Sequence, residues 1–456
     1  MINIRELLFI TIALSFFSMG NKAIAQYDLG FNSLKTVPQT NLLNPSYIPN
    51  YKYHFGFPGI SSTLGSYGTS GARYNQIFSP IGDSISLNTE SILSNIKNGN
   101  NINFRTTNQW LYGGMKWKKF YFSAAISDIA DVNSMYSKSL VSLAFEGNGD
   151  HIDETIKASP LAIKALQYRE YALGAAYQFD DQWNFGIKAK FLFGKSGINS
   201  ENTDLSLTTT KDYYYLDIKT DISVNTSLPA NKKDSSDVSW SEYAFYGSNF
   251  GMGIDLGASY KLDDQWSFSA SVLDLGYISY DRWLKTYSSN IEFTYKGIDI
   301  NQFDGLSDDE VDARIEEIKD SLTDLFDIKE SVEKFKVPLT AKIYLGANYK
   351  LSDVETVGAL VRIEIFKGVI RPSFTASYYR QLNKNFGVTA NYSIINRSYL
   401  NLGVGFVANF EPLQVYFVTD NVYGIIFPNK VRYANFHFGI NFIFPSHSIN
   451  RPMINL

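Results

Sequence analysis

From about residue 110 onward, apolar and non-apolar residues alternate in stretches of nine to eleven, separated by turn signals. Between Tyr171 and Phe179 the odd positions are Tyr171, Leu173, Ala175, Tyr177 and Phe179, and the even ones are Ala172, Gly174, Ala176 and Gln178. The next stretch places Trp183, Phe185, Ile187, Ala189, Phe191 and Phe193 on one face and Asn184, Gly186, Lys188 and Lys190 on the other. The last one sets Phe436, Phe438, Ile440, Phe442 and Phe444 against Asn435, His437, Gly439 and Asn441. A period of two is that of strands with one apolar face.

The turns between these strands repeat. Asp180-Asp181-Gln182-Trp183 and Asp263-Asp264-Gln265-Trp266 follow similar strands, Leu173-Gly174-Ala175-Ala176-Tyr177 and Leu256-Gly257-Ala258-Ser259-Tyr260. A third copy, Leu345-Gly346-Ala347-Asn348-Tyr349, leads into Ser352-Asp353-Val354-Glu355. These short turns alternate with mostly longer connections at residues 194–212, 281–338 and 420–432. Counting strands alternately down and up from Tyr171 brings the final one back to the short-turn end. Short turns at one end and long loops at the other are the pattern of a bacterial outer-membrane barrel, with the short turns periplasmic. Whether Lys138 to Phe145 spans the membrane is left open by the pattern.

Two segments break the alternation. Residues 26–53 are rich in Asn, Pro and Ser, and Pro38, Pro45 and Pro49 each remove a ladder donor, so this stretch is expected as an irregular plug inside a barrel. Ser307 and Glu310 form a capping box ahead of Val311, Ile315, Ile318, Leu322, Leu325 and Phe326, which follow a 3.6-residue period. This is expected to be an extracellular loop helix.

Alternation alone also suits a soluble sandwich. The non-apolar face decides against it, because Gly, Ser, Asn and Ala dominate where a sandwich would expose many charges. Trp183 and Trp266 stand at strand starts beside the short turns, as in an interfacial girdle. The chain of 456 residues holds 33 Phe and 31 Tyr, yet its mean hydropathy is only -0.15 and no apolar run is long enough for a spanning helix. At the N-terminus, Arg5 precedes an apolar stretch over residues 7–19, and Ala23-Ile24-Ala25 fits a signal-peptidase site. The expected organisation is a signal peptide over 1–25 cleaved after Ala25, a plug over 26–53, an outer-membrane barrel over 54–445 and a periplasmic tail over 446–456. The fold class is all-β, a transmembrane antiparallel barrel.

Two stretches carry a resemblance. Asn41-Leu42-Leu43-Asn44-Pro45-Ser46 resembles the Asn-Pro-Ala segment near the mature N-terminus of FadL-type outer-membrane channels, departing from it at Ser46 where Ala is expected. Tyr168-Arg169-Glu170-Tyr171-Ala172-Leu173-Gly174, followed by the stretch from Gly186 to Gly194, resembles an uncharacterised Bacteroidota-type family of exported barrels with a domain of unknown function. The FadL resemblance implies about 14 strands, an even number as bacterial barrels have. It also implies an N-terminal plug, with Asn44, Pro45 and Ser46 at the plug or gate, and passage of hydrophobic small molecules.

Chemistry is constrained by what the chain holds. Net charge is -4, against a nucleic-acid partner, and there is no cysteine. His54, His151, His437 and His447 match no zinc spacing, so no metal or cofactor is expected. The carboxylate pairs Asp180-Asp181 and Asp263-Asp264 belong to turns, and Asp308-Asp309 opens a helix. A serine beside His437 or His54 is the one enzyme-like arrangement to weigh, and no motif surrounds either, so the chain is not expected to be an enzyme. Lys188, Lys190, Lys261, Lys342, Lys350 and Arg362, with Asp255 and Glu364, fall on the inward face as lumen charges. The expected function is a FadL-like channel for hydrophobic or small amphipathic compounds, surrounded by outer-membrane lipid. The alternative is a non-transport barrel serving as scaffold or shuttle in envelope assembly or secretion, binding envelope proteins through its extracellular loops.

Overall fold

The computed structural model describes residues 29–81, 84–231, 247–296, 307 and 324–445. The signal peptide, the tail from residue 446, Asp308-Asp309 and all but the end of the helix expected after Ser307 lie outside the described residues. Strands follow in chain order as β1 (Tyr51–Gly56), β2 (Ser62–Thr69), β3 (Phe78–Ile81), β4 (Ser84–Leu87), β5 (Asn100–Trp117), β6 (Phe120–Tyr136), β7 (Thr155–Lys157), β8 (Ala162–Gln178), β9 (Trp183–Thr209), β10 (Leu216–Ser227) and β11 (Phe250–Lys261). They continue as β12 (Trp266–Tyr280), β13 (Leu284–Tyr295), β14 (Lys329–Ser331), β15 (Phe335–Pro338), β16 (Lys342–Ser352), β17 (Glu355–Phe366), β18 (Val369–Gln381), β19 (Phe386–Ile395), β20 (Ser398–Phe410), β21 (Leu413–Thr419) and β22 (Tyr433–Pro445).

These strands close into an antiparallel transmembrane barrel of 14 staves. β1 and β2 together form the first stave. Both pair with β5 on one side and with the last strand, β22, on the other, from Tyr51 opposite Pro445 to Gly68 opposite Tyr433. The stave breaks between Gly56 and Ser62, where Phe57 N and Ile60 O still bond to Ile440. Irregular backbone thus ends at Asn50, earlier than the expected Tyr53, because residues 51–53 are already paired with β5 or β22.

The repeated turns explain themselves. Asp180 Oδ1 accepts the amides of Gln182 and Trp183 at 2.8 and 2.6 Å, and Asp263 Oδ1 does the same for Gln265 and Trp266. Asn383 repeats the arrangement with Asn385 and Phe386. Each is an Asx turn, in which a short side chain replaces a missing backbone partner. Beside them the tryptophans lie against tyrosines of the next stave, Trp183 on Tyr260 at 4.5 Å and Trp266 on Tyr349 at 4.8 Å between centroids. They form an aromatic girdle at the short-turn end, which in bacterial barrels faces the periplasm. Beyond this girdle the wall exposes Leu173, Phe185, Ile187, Leu345, Val404 and Phe406 outward.

At the long-loop end the structure departs from the expectation of loops. Residues 194–209 continue β9 far above the apolar belt, and β10 pairs with them from Ser227 opposite Gly197 to Leu216 opposite Thr209. β13 lies on the other side of β10 over its full length, so residues 281–338 hold strands as well as connections. The physical reason is that outside lipid a sheet tolerates two half-polar faces, so the strands lose the clean alternation that marked the membrane part. Lys138–Glu146 is a helix, started by Ser137 Oγ accepting the Leu140 amide and ended by Gly147 at φ +77°, so this segment does not span.

Val361 faces outward at the middle of β17, with Arg362 buried behind it. Val361→Arg is expected to destabilise the barrel by about 2–4 kcal/mol in urea unfolding from lipid vesicles. An unchanged unfolding midpoint would place this face outside the hydrocarbon.

Candidate functional site

Residues 29–50 fill the lumen. Their backbone makes two short 3-10 turns, Gly30–Ser33 and Pro38–Leu42, the second opened by a proline that needs no donor there. Leu29, Phe31, Leu34, Val37 and Leu43 pack against inward residues of the wall, among them Tyr344, Tyr379, Val407, Tyr416 and Tyr433. Burying such side chains contributes roughly 1.5–3 kcal/mol each. The first turn is held by Asp420, fully buried, whose carboxylate accepts the amides of Leu29 (3.2 Å) and Gly30 (2.7 Å), Asn391 Nδ2, Asn435 Nδ2 and the Tyr433 hydroxyl. Further along, Gln414 and Tyr51 donate to Thr36 O, Tyr112 donates to Pro38 O, and Gln39 exchanges amide bonds with Asn441.

Asn44, Pro45 and Ser46 are buried together against the wall. Asn44 Oδ1 accepts both the amide (2.9 Å) and the hydroxyl (2.7 Å) of Ser46, and Asn44 Nδ2 reaches the carbonyls of Ala258 and Ala270. The serine found where the resemblance expects alanine therefore adds a bond inside the turn. The seat is made by two glycines directly opposite each other on β9 and β11, Gly186 and Gly257. A Cβ on Gly186 would lie 2.2 Å from the Pro45 carbonyl, and one on Gly257 would lie 2.1 Å from Asn44 Oδ1. Only glycine leaves room there.

Beside the plug lies a layer of buried charge. Of the inward charges read from the sequence, Lys188, Lys190, Asp255, Lys342, Arg362 and Glu364 meet in this layer. Lys261 and Lys350 do not; they pair with Asp264 and Asp353 at the short turns. The layer also holds Arg105, Asp131, Lys164, Glu170, Asp274 and Arg371, which the sequence reading missed. Lys190 Nζ reaches Asp274, Asp255 (2.9 Å) and Glu170 (3.5 Å) at once, and Lys342 joins it on Asp274. Arg362 and Arg371 share Glu364, and Arg105 lies 3.3 Å from Asp131. Removing one partner of such a buried pair costs about 3–5 kcal/mol because the other charge is left without compensation.

Two bulges hid part of the layer. On β12 two residues, Leu273 and Asp274, stand opposite the single Asp255. Asp274 takes φ 61° and turns inward, although the alternation from Trp266 would point it at lipid, and its amide donates to Asp255 Oδ1. On β5 the register shifts at Trp110, which reverses the phase above it and brings Arg105 inside. Glu170 shares the phase of Ala172 and Gly174 and was legible from the alternation. A cavity of about 110 Å³ opens between this layer and the plug, lined by Leu42, Leu43, Ser62, Lys188, Arg105 and Asp274 among others.

The serine–histidine pairing left open by the sequence is Ser62 Oγ with His437 Nε2, at 2.6 Å. The imidazole is buried, with the Phe31 ring 4.2 Å from it between centroids and Tyr416 edge-on. His54 instead bonds the Tyr121 hydroxyl at 2.7 Å inside the wall. His437 packs between plug and barrel, and His54 packs within the wall against Tyr112 and Tyr121.

No curated protein matches this sequence. Among solved structures, the chain is similar to the toluene transporter TbuX of Ralstonia pickettii, at 11% identity and a TM-score of 0.42 over 90% of this chain and 94% of that one. The toluene transporter TodX of Pseudomonas putida gives 10% and 0.40, over 92% and 98%. A FadL homologue of Pseudomonas aeruginosa gives 10% and 0.42, over 94% and 99%. A family model matches residues 45–420, from the plug turn to the carboxylate that holds the plug's first turn, and the chain belongs to that family of unknown function, DUF5723.

Proposed function

We propose that this protein is an outer-membrane channel for hydrophobic or small amphipathic compounds, with residues 29–50 as its plug and gate and Asn44, Pro45 and Ser46 as the gate turn seated on Gly186 and Gly257. In this reading the chain is exported, its signal peptide is cleaved after Ala25, and the tail after residue 445 lies in the periplasm. The observation that carries the reading is that residues 29–50 lie in the lumen against its wall through noncovalent contacts, tethered where they run into β1. Each hydrogen bond of such a segment contributes about 0.5–1.5 kcal/mol net and is replaced by water when the segment leaves. The lumen offers apolar side chains on one side of the ionic layer and cations within it, a combination suited to a cargo with an apolar body and a polar head.

A second reading, a scaffold barrel, is favoured by the sheet of β9, β10 and β13 that stands above the apolar belt. Its tip carries Tyr213 and Tyr214, 81% and 65% exposed, both with positive φ. Co-purification in mild detergent separates the two: stoichiometric envelope proteins favour the scaffold, lipid-like density in the lumen the channel.

Two variants test the gate. Deleting residues 41–49 should leave a heat-modifiable, folded barrel whose permeability in reconstituted vesicles exceeds that of the intact chain; equal permeability would rule out the plug as the barrier. Gly186→Val should unseat the Asn44–Ser46 turn without touching the lipid face. Its expected signature is faster proteolysis of the N-terminal segment together with raised permeability, and intact protection would show that the seat does not hold the plug.

A further inference from the structure

The ionic layer is unbalanced. Its cations are Arg105, Lys164, Lys188, Lys190, Lys342, Arg362 and Arg371, and its carboxylates are Asp131, Glu170, Asp255, Asp274 and Glu364. Asp420, the other buried carboxylate of the plugged lumen, is already engaged by neutral donors on the plug's first turn. Within the layer the carboxylates that line the cavity are taken: Asp274 by Lys190 and Lys342, Asp255 and Glu170 by Lys190. Lys188 is 2% exposed and lines the same cavity. Its ammonium donates to the Asn41 carbonyl of the plug at 3.2 Å, and among the described residues no carboxylate lies within ion-pair distance of it. A surplus of charge in a dry interior costs far more than one in water, so it draws in a counter-charge or sheds a proton.

We infer that the cavity between plug and wall binds one small oxyanion, a phosphate or a short carboxylate, on Lys188. An ammonium has three donors, so Lys188 can hold the plug carbonyl and the anion together. Arg105 lines the same cavity and supplies a second cation. With the plug in place, about 110 Å³ accommodates a headgroup-sized anion and excludes a long acyl chain. Because Lys188 ties the plug to this layer, the anion completes the surface on which the plug rests. The inference stands on the plugged lumen alone, whether or not the barrel transports anything.

The test uses the full chain purified in neutral detergent, at constant ionic strength set with chloride. Equilibrium dialysis against labelled inorganic phosphate should give saturable binding of one equivalent per chain, and phosphate should raise the thermal unfolding midpoint. Lys188→Met should weaken binding by roughly tenfold or more, and Lys188→Arg should restore it. Competition by acetate assigns the site to oxyanions generally, and resistance to acetate assigns it to tetrahedral ones. Absence of saturable binding of both anions to the unmodified chain overturns the inference, as does undiminished phosphate affinity in a folded Lys188→Met protein. If that variant does not fold, the stoichiometry of the unmodified chain decides alone.

Discussion

Everything in this molecule follows from the need to pair every backbone amide and carbonyl in a medium that offers no water. In hydrocarbon an unpaired peptide group costs several kcal/mol, and a sheet meets the requirement only by leaving no edge. The chain does so by joining its last strand to its first, across hundreds of residues, with β22 spanning both halves of the broken first stave. The break between Gly56 and Ser62 is tolerated because its freed groups find partners: Phe57 and Ile60 bond Ile440, and the Ser61 carbonyl turns inward to accept from Gln39 of the plug. Closure thereby also creates the lumen, and with it the second problem of filling a tube.

The filling is layered. An apolar cluster built on Phe31, Leu34 and Val37 and a second one around Leu192, Ile278, Tyr280 and Val337 are separate, and the charges occupy the lumen beside the first. Charges in such a place stabilise little, because desolvation offsets most of their attraction, but each fixes the geometry of its neighbours. Lys190, shared among three carboxylates from β8, β11 and β12, holds non-adjacent staves in register with one another. The plug is tied to this framework through Lys188 and to the opposite wall through Asp420, so it is positioned at two ends by groups of opposite sign.

How much of this the sequence displays depends on which solvent each residue faces. Lipid tolerates almost nothing but apolar side chains, so the outward set from Tyr171 to Phe444 is written plainly, and with it the strands, their parity and the fold class. The Asx turns are equally plain, since one Asp or Asn does the work locally. What fails is anything that depends on counting across a bulge: Asp274 and Arg105 are displaced from the face their parity assigns, and both belong to the ionic layer. The extension of β9 into β10 escapes notice for another reason, because outside lipid its two faces are both partly polar, which removes the contrast that reveals a strand. The seat made by Gly186 and Gly257 is visible only once the register sets them side by side.

Whether the plug is a fixture or a gate turns on where its polar partners go when it moves. With the plug in place, Lys188 donates to a plug carbonyl and Asp420 accepts two plug amides, so withdrawing the plug from a dry lumen would strand Lys188 and leave Asp420 only its wall donors Asn391, Asn435 and Tyr433. Withdrawal does not leave the lumen dry, however. The wall behind the plug carries Gln109, Ser127, Asn391, Asn409, Gln414, Asn435 and Asn441, all buried, which is a lining that water can wet. Water then takes over the bonds to Asp420, Lys188 and these amides, and the cost of opening falls chiefly on the apolar side chains Leu29, Phe31, Leu34, Val37 and Leu43. Five such side chains at roughly 1.5–3 kcal/mol each hold the plug firmly against thermal motion, yet within the range that binding free energies reach. A wall that stayed unsatisfied without the plug would make it a fixture; this wall is polar where the plug is polar, as the proposed gate requires.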